Sequence, residues 1–171
     1  MDNKMGHIKQ FFFEHPTRLF HAREIARILD IPKSTVSYKL KELLSKKIIK
    51  ETHDIFKGFI ANSSNATYTI EKKKHALDQI NASGIIDYLE DNFHPRCIIL
   101  FGSFAKGEYD HNSDVDIFVQ ASDAMIDLSK FEKKLDHKIQ LLFGADLKKM
   151  SPEIANNIIN GVKLSGFLKI F

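Results

Sequence analysis

The chain holds one cysteine, Cys97, which leaves no internal disulfide framework and points to a reducing compartment. Set in an apolar run, it reads as a small core residue of a strand. No apolar run reaches the ~18 residues that a membrane span requires. The longest, around 97–101 and 139–143, have the length of strands. The first ten residues, MDNKMGHIKQ, lack the apolar stretch of a signal peptide. The expectation is a cytoplasmic protein with no membrane association. Eight histidines are scattered without the spacing of zinc ligands. Ser103 lacks the G-x-S-x-G turn of an acyl nucleophile. There is no internal repeat and no long low-complexity stretch.

What the chain does contain is divided unevenly. Hydrophobic residues make up 43% of 171 positions, enough for one packed domain or two small ones. The net charge is +3, but residues 1–75 carry 15 Lys+Arg against 8 Asp+Glu, while residues 76–171 carry 10 against 14. The first part is thus +7 and the second −4. Such a split suggests two domains, 1–75 and 76–171, with different partners: a basic one suited to phosphates and an acidic one suited to cations.

In the first part, apolar spacing predicts helices over 4–14, 22–29 and 33–46. Pro16 ends the first, and Asp30-Ile31-Pro32 breaks between the second and third. Ile25, Ala26, Ile28 and Leu29 share one face of the second helix. Val36, Leu40, Leu43 and Leu44 form a core stripe on the third. Turn formers at 61–67 separate β-branched and aromatic segments at 54–60 and 68–70, which read as two short strands. The segment HAREIARILDIPKSTVSYKLKELLSKKIIKE resembles a winged helix-turn-helix. The resemblance implies a DNA-binding domain whose second helix of the pair enters the major groove and whose hairpin touches the flanking backbone. Lys33, Thr35, Ser37, Tyr38 and Lys41 are then the outward residues that meet duplex DNA, with Lys57 in the wing. The run Phe11-Phe12-Phe13 reads as core or as a homodimer contact.

In the second part a helix is expected over 71–93, interrupted at Gly84, then strands at 97–101 and 115–119. A helix at 127–135, a strand at 138–143 and a helix at 152–159 complete the pattern. The distinctive stretch is IILFGSFAKGEYDHNSDVDIFV. An apolar strand ends at Gly102-Ser103, ten residues intervene, and Asp114-Val115-Asp116 opens the next apolar strand. A glycine lets backbone amides approach a phosphate closely. Ser103 adds a hydroxyl at the start of a short helix, and Lys106 adds a point charge one turn on. Asp114 and Asp116, two apart on a strand, point to one face. Carboxylates so placed repel unless a cation joins them, and oxygen ligands beside phosphate describe a magnesium or manganese site.

With Gly107 and Ser113 in register, this stretch resembles the signature of polymerase-β-like nucleotidyltransferases, close to the minimal members. Winged helix followed by nucleotidyltransferase resembles two-domain proteins common in archaea. The resemblance implies an α+β chain with a small mixed sheet flanked by helices. Gly102, Ser103, Lys106 and Ser113 would bind a nucleoside triphosphate, and Asp114 and Asp116 would hold Mg²⁺ or Mn²⁺. The activity implied is transfer of a nucleoside monophosphate to a hydroxyl. The family usually adds a third catalytic carboxylate in a later strand, in a basic–apolar–Asp–apolar–apolar pattern. Here that stretch is Lys138-Ile139-Gln140-Leu141-Leu142, so Gln140 fills the acid's position. An amide oxygen ligates a metal but carries no charge and accepts no proton at neutral pH. Asp136 precedes Gln140 by four residues, about 13 Å along a strand. Two readings follow: an active transferase, or a weak or inactive nucleotide-sensing transcriptional regulator. The family's habit of pairing with a helical partner protein, sometimes as antitoxin, narrows the second.

Overall fold

The computed structural model describes residues 2–53 and 57–169. Two compact units divide them, Met1–Lys72 and Lys73–Phe171. The first contains α1 (Asp2–Glu14), α2 (Ala22–Leu29), α3 (Lys33–Ser45) and an antiparallel hairpin of β1 (Ile49–His53) and β2 (Lys57–Ala61). Its core is aromatic. Phe12, Phe13 and Phe20 are fully buried, and Phe12 meets Phe20 edge-on at 5.3 Å. Phe20 also exchanges both backbone hydrogen bonds with Phe59 of β2, at 2.8 and 2.9 Å. Of the phenylalanine run, Phe12 and Phe13 are core and Phe11 is partly buried. Val36, Leu40 and Leu43 of α3 and Ile25 of α2 close onto it, whereas Ile28 is half exposed and leaves the expected apolar face.

The hairpin lies earlier in the chain than its β-propensity suggested. The segment 68–70 is helical, inside α4 (Ala66–Ser83). Asn65 starts that helix: its side chain accepts from the Thr67 amide at 2.9 Å and its carbonyl from the Tyr68 amide at 3.0 Å. Tyr68 is buried, packs edge-on to Phe13 at 5.3 Å and donates its hydroxyl to the Phe12 carbonyl at 3.0 Å. Tertiary burial and a cap outweigh the strand preference of Tyr-Thr-Ile. The first strand of the hairpin, β1, begins at Ile49, buried like Ile48 before it, in a stretch whose lysines masked its strand character. Positions 54–56 of the expected strand lie outside the described residues.

In the second unit, α4 gives way to α5 (Ile85–Phe93) at Gly84, whose φ of +79° only glycine adopts freely. A four-stranded sheet follows in the order β5-β4-β3-β6, from β3 (Cys97–Phe101), β4 (Val115–Val119), β5 (Ile139–Phe143) and β6 (Val162–Gly166). β4 runs antiparallel to β3 and parallel to β5. One face buries Cys97, Ile99 and Phe118 with Leu147 and with Ile158 of α8 (Pro152–Ile159). On the other side of the unit, Phe131 of α7 (Ser129–Leu135) meets Tyr88, and Phe93 meets Phe143 of β5. β6 had no sequence signal: Val-Lys-Leu-Ser-Gly is short and half exposed, and its pairing with β3 is what makes it a strand.

On α3, Glu42 receives hydrogen bonds from Lys39 and Lys46, each at 2.8 Å, which hold its carboxyl down at about 2. Its folded value lies below the unfolded one, so the stabilisation is full above the ordinary carboxylate range and is lost as pH falls through about 2. Glu42→Gln should therefore cost about 0.5–1 kcal/mol at neutral pH and low salt, discounted for solvent screening. Denaturant titrations across pH check this: the two proteins should converge in strong acid and in high salt.

Candidate active site

The turn that follows β3 and the start of β4 meet because the sheet register places them side by side. Phe101 pairs with Asp116 across β3 and β4, and Asp116 pairs with Gln140 across β4 and β5. Paired residues of neighbouring strands point to the same face. Gly102 opens α6 (Gly102–Lys106) with φ +70°, and a Cβ there would overlap the Asp116 carboxylate. Glycine is thus required twice, for its backbone angle and for the carboxylate's room. Asp116 is half buried. That burial raises its carboxyl above the ordinary range, and the neighbouring Asp114 charge raises it further.

Asp114 sits just before β4, on a loop with its own scaffold. Ser113 Oγ accepts from the Asp110 amide at 2.9 Å and donates to the Asp110 carboxylate at 3.3 Å. The hydroxyl of Ser113 therefore shapes the loop that delivers Asp114. The Ser113 carbonyl accepts from His137 Nδ1 at 2.8 Å, which fixes the proton on that nitrogen. Behind the loop, Phe104 and Tyr109 are buried and stack at 4.1 Å, and His137 stands edge-on to Phe104 at 4.9 Å. These three positioning residues escaped the sequence reading. The signal for the pair was two aromatics flanking Gly107 inside the motif.

Gln140 donates from Nε2 to Asp114 Oδ2 at 2.6 Å. The side chain in the third-acid position therefore reaches the carboxylate pair, as the register implied. Asp136 does not belong to β5. It caps α7 with φ +58°, so spacing along a strand does not describe it. With His111, Ser113, Asp114, Glu132 and Lys138 it lines a polar cleft of about 490 Å³. Lys106 ends α6 and is exposed. Among the described residues no group of three or more His, Cys, Asp or Glu side chains is placed to hold a metal ion. Asp114 and Asp116 offer two carboxylates, so a hard cation held here would need its remaining ligands from a bound phosphate or water.

The expected DNA-facing residues lie on α3 and are not all together. Lys33, Ser37 and Lys41 line one recess, with Lys33 and Lys41 exposed. Tyr38 is 68% exposed. Thr35 lies about 200° round the helix from Lys33, on the Glu42 side. Lys57 opens β2, and its side chain lies outside the described residues.

Gly102→Ala should destabilise the protein by on the order of 1–3 kcal/mol, combining left-handed strain with displacement of Asp116. Asp116→Ala should recover the displacement part, so the double variant is more stable than the two single costs summed. Thermal or urea unfolding of the four proteins measures this.

Residues 83–165 match the family model for the polymerase beta nucleotidyltransferase domain. Over 90 residues the chain is 31% identical to the protein adenylyltransferase MntA of Shewanella oneidensis, covering 48% of this chain. The chain thus spans 63% of that protein's length. No solved structure matches. The motif, the paired carboxylates at the sheet's end and the family match agree: residues 83–165 form a polymerase-β-type nucleotidyltransferase domain.

Proposed function

We propose that this is a DNA-binding nucleotidyltransferase-like protein that holds a divalent cation and a nucleoside triphosphate and transfers the nucleoside monophosphate slowly to a hydroxyl. The observation that carries the reading is the Asp116 carboxylate seated against the Gly102 turn, where a Cβ would overlap it, with the Asp114 charge close enough to act on it. Burial first, and the Asp114 charge second, disfavour the ionised form of Asp116, and a bound positive charge would offset both. A bound Mg²⁺ would offset the charge of the carboxylates and the triphosphate and would polarise the reacting phosphate. Gly102 leaves room for the Asp116 carboxylate beside the turn. Ser103 contributes an unpaired first-turn amide and a hydroxyl, and Lys106 contributes positive charge. In the transfer, the acceptor oxygen bonds to the α-phosphorus and the bond to pyrophosphate breaks. The name of the MntA relative supports ATP as donor and a protein hydroxyl as acceptor.

Gln140 sets the rate. Its amide cannot accept the hydroxyl proton, and its bond to Asp114 commits one of that carboxylate's oxygens. General-base assistance is typically worth ~10²–10⁴ in rate. Wild type should therefore transfer label from ATP to acceptor poorly or not at all, and Gln140→Asp should gain activity. The assay is labelled ATP with Mg²⁺ or Mn²⁺ and a host lysate as acceptor pool. Robust wild-type turnover abolished by Asp114→Ala would show that two carboxylates suffice. Inactivity of both proteins, with nucleotide still bound, would favour the regulator reading that the Gln140–Asp114 bond supports.

The N-terminal unit we read as a winged helix-turn-helix. Support comes from three helices followed by a hairpin, the +7 balance of residues 1–75, and lysines on the exposed side of α3. Duplex DNA should bind and weaken steeply with salt, and each phosphate contact removed should flatten the log–log slope by about 0.9. Gel shifts of Lys33→Ala and Lys41→Ala measure the change. No binding at low salt would remove DNA from the account.

A further inference from the structure

Beside α3 lies a recess of about 530 Å³. This is within the ~300–1,000 Å³ typical of small-molecule sites. Leu40, Leu44 and Phe59 form its apolar part, with Ala22 at the start of α2. Leu40 and Phe59 are buried, so the floor is continuous with the core. Arg23, Lys33 and Lys41 stand around it, all exposed. Among the described residues no Asp or Glu lines it. Two acids on the same helices are engaged by other cations: Glu24 pairs with Arg18 at 2.7 Å, and Glu42 is held by Lys39 and Lys46 on the other side of α3. A phosphate backbone needs cations but has no use for an apolar floor. An uncharged apolar molecule needs the floor but gains nothing from three cations.

We propose that this recess binds a small amphipathic anion, an aromatic or aliphatic body carrying one carboxylate or phosphate. The body lies on Leu40, Leu44 and Phe59, and the anionic head faces Arg23, Lys33 and Lys41. Resting on the DNA-binding reading above, a further consequence is competition, since Lys33 and Lys41 belong to both sites. Ligand and duplex then exclude each other by reciprocal linkage, and the anion acts as an inducer that releases the protein from DNA.

The test titrates the full chain with 1-naphthoate and with its neutral counterpart 1-naphthamide, following backbone amide signals by NMR. Naphthoate should give saturable shifts centred on Ser37 and Phe59, and naphthamide should bind at least about tenfold more weakly, the worth of a charge-assisted hydrogen bond. Lys33→Glu/Lys41→Glu removes the charge and should abolish preference for the acid. Ser37→Leu fills the recess while keeping the charge and should block both ligands. The exposed lysine pair keeps the test decisive if Ser37→Leu fails to fold. No saturable shift at Ser37 and Phe59, equal binding of acid and amide, or unchanged binding by the lysine variant would overturn the site. A gel shift at saturating naphthoate reads the competition separately. If the duplex never binds, the DNA reading fails while the NMR titration still decides the ligand site.

Discussion

Two carboxylates, Asp114 and Asp116, stand near enough to feel each other's charge at one end of a four-stranded sheet, and much of the C-terminal unit serves to keep them there. Strand pairing fixes Asp116 between Phe101 and Gln140. The glycine turn lacks the Cβ that would overlap the Asp116 carboxylate. Burial and the Asp114 charge both disfavour its ionised form. An apolar residue at 116 would relieve that cost, so the arrangement makes sense as a socket for positive charge. With two carboxylates alone, the socket is too sparse to hold a hard cation tightly. The metal and the triphosphate are then expected to bind together, each supplying ligands the other needs.

The support behind the socket explains why the loop before β4 is placed so firmly. Ser113 and Asp110 close it through side-chain and backbone hydrogen bonds. His137 ties the Ser113 carbonyl from the neighbouring segment. The Phe104–Tyr109 stack fills the space beneath, and a buried aromatic stack gives a fixed platform where a flexible side chain would not. Gln140 then adds a contact that an aspartate could not make in its ionised form, because two carboxylates would repel where the amide donates. The same bond that steadies Asp114 thus marks the loss of a proton acceptor.

Much of this was legible in the residues. The Gly102-Ser103 turn, the spacing to Asp114 and Asp116, and the strands at 97–101 and 115–119 followed from apolar runs interrupted at the right places. Gln140 was found through a local pattern, and the parallel pairing of β4 with β5 puts it beside Asp116. What escaped depends on partners distant in sequence. β6 is a strand only because β3 offers an edge. Tyr68 is helical because Asn65 caps and Phe12 and Phe13 receive it. Asp136 looked like a strand residue until the end of α7 claimed it. The split of the α3 face depends on tertiary packing, since α2 and Phe59 decide which arc borders a recess.

The central claim is that Asp114, Asp116 and the Gly102 turn form one site for a cation and a triphosphate. Calorimetric titration of ATP into the full chain, with and without Mg²⁺, tests it most directly when repeated on Asp114→Ala/Asp116→Ala. The account predicts binding to the wild type that requires Mg²⁺ and vanishes in the double variant. Equal binding by both proteins, or wild-type binding indifferent to Mg²⁺, would contradict it.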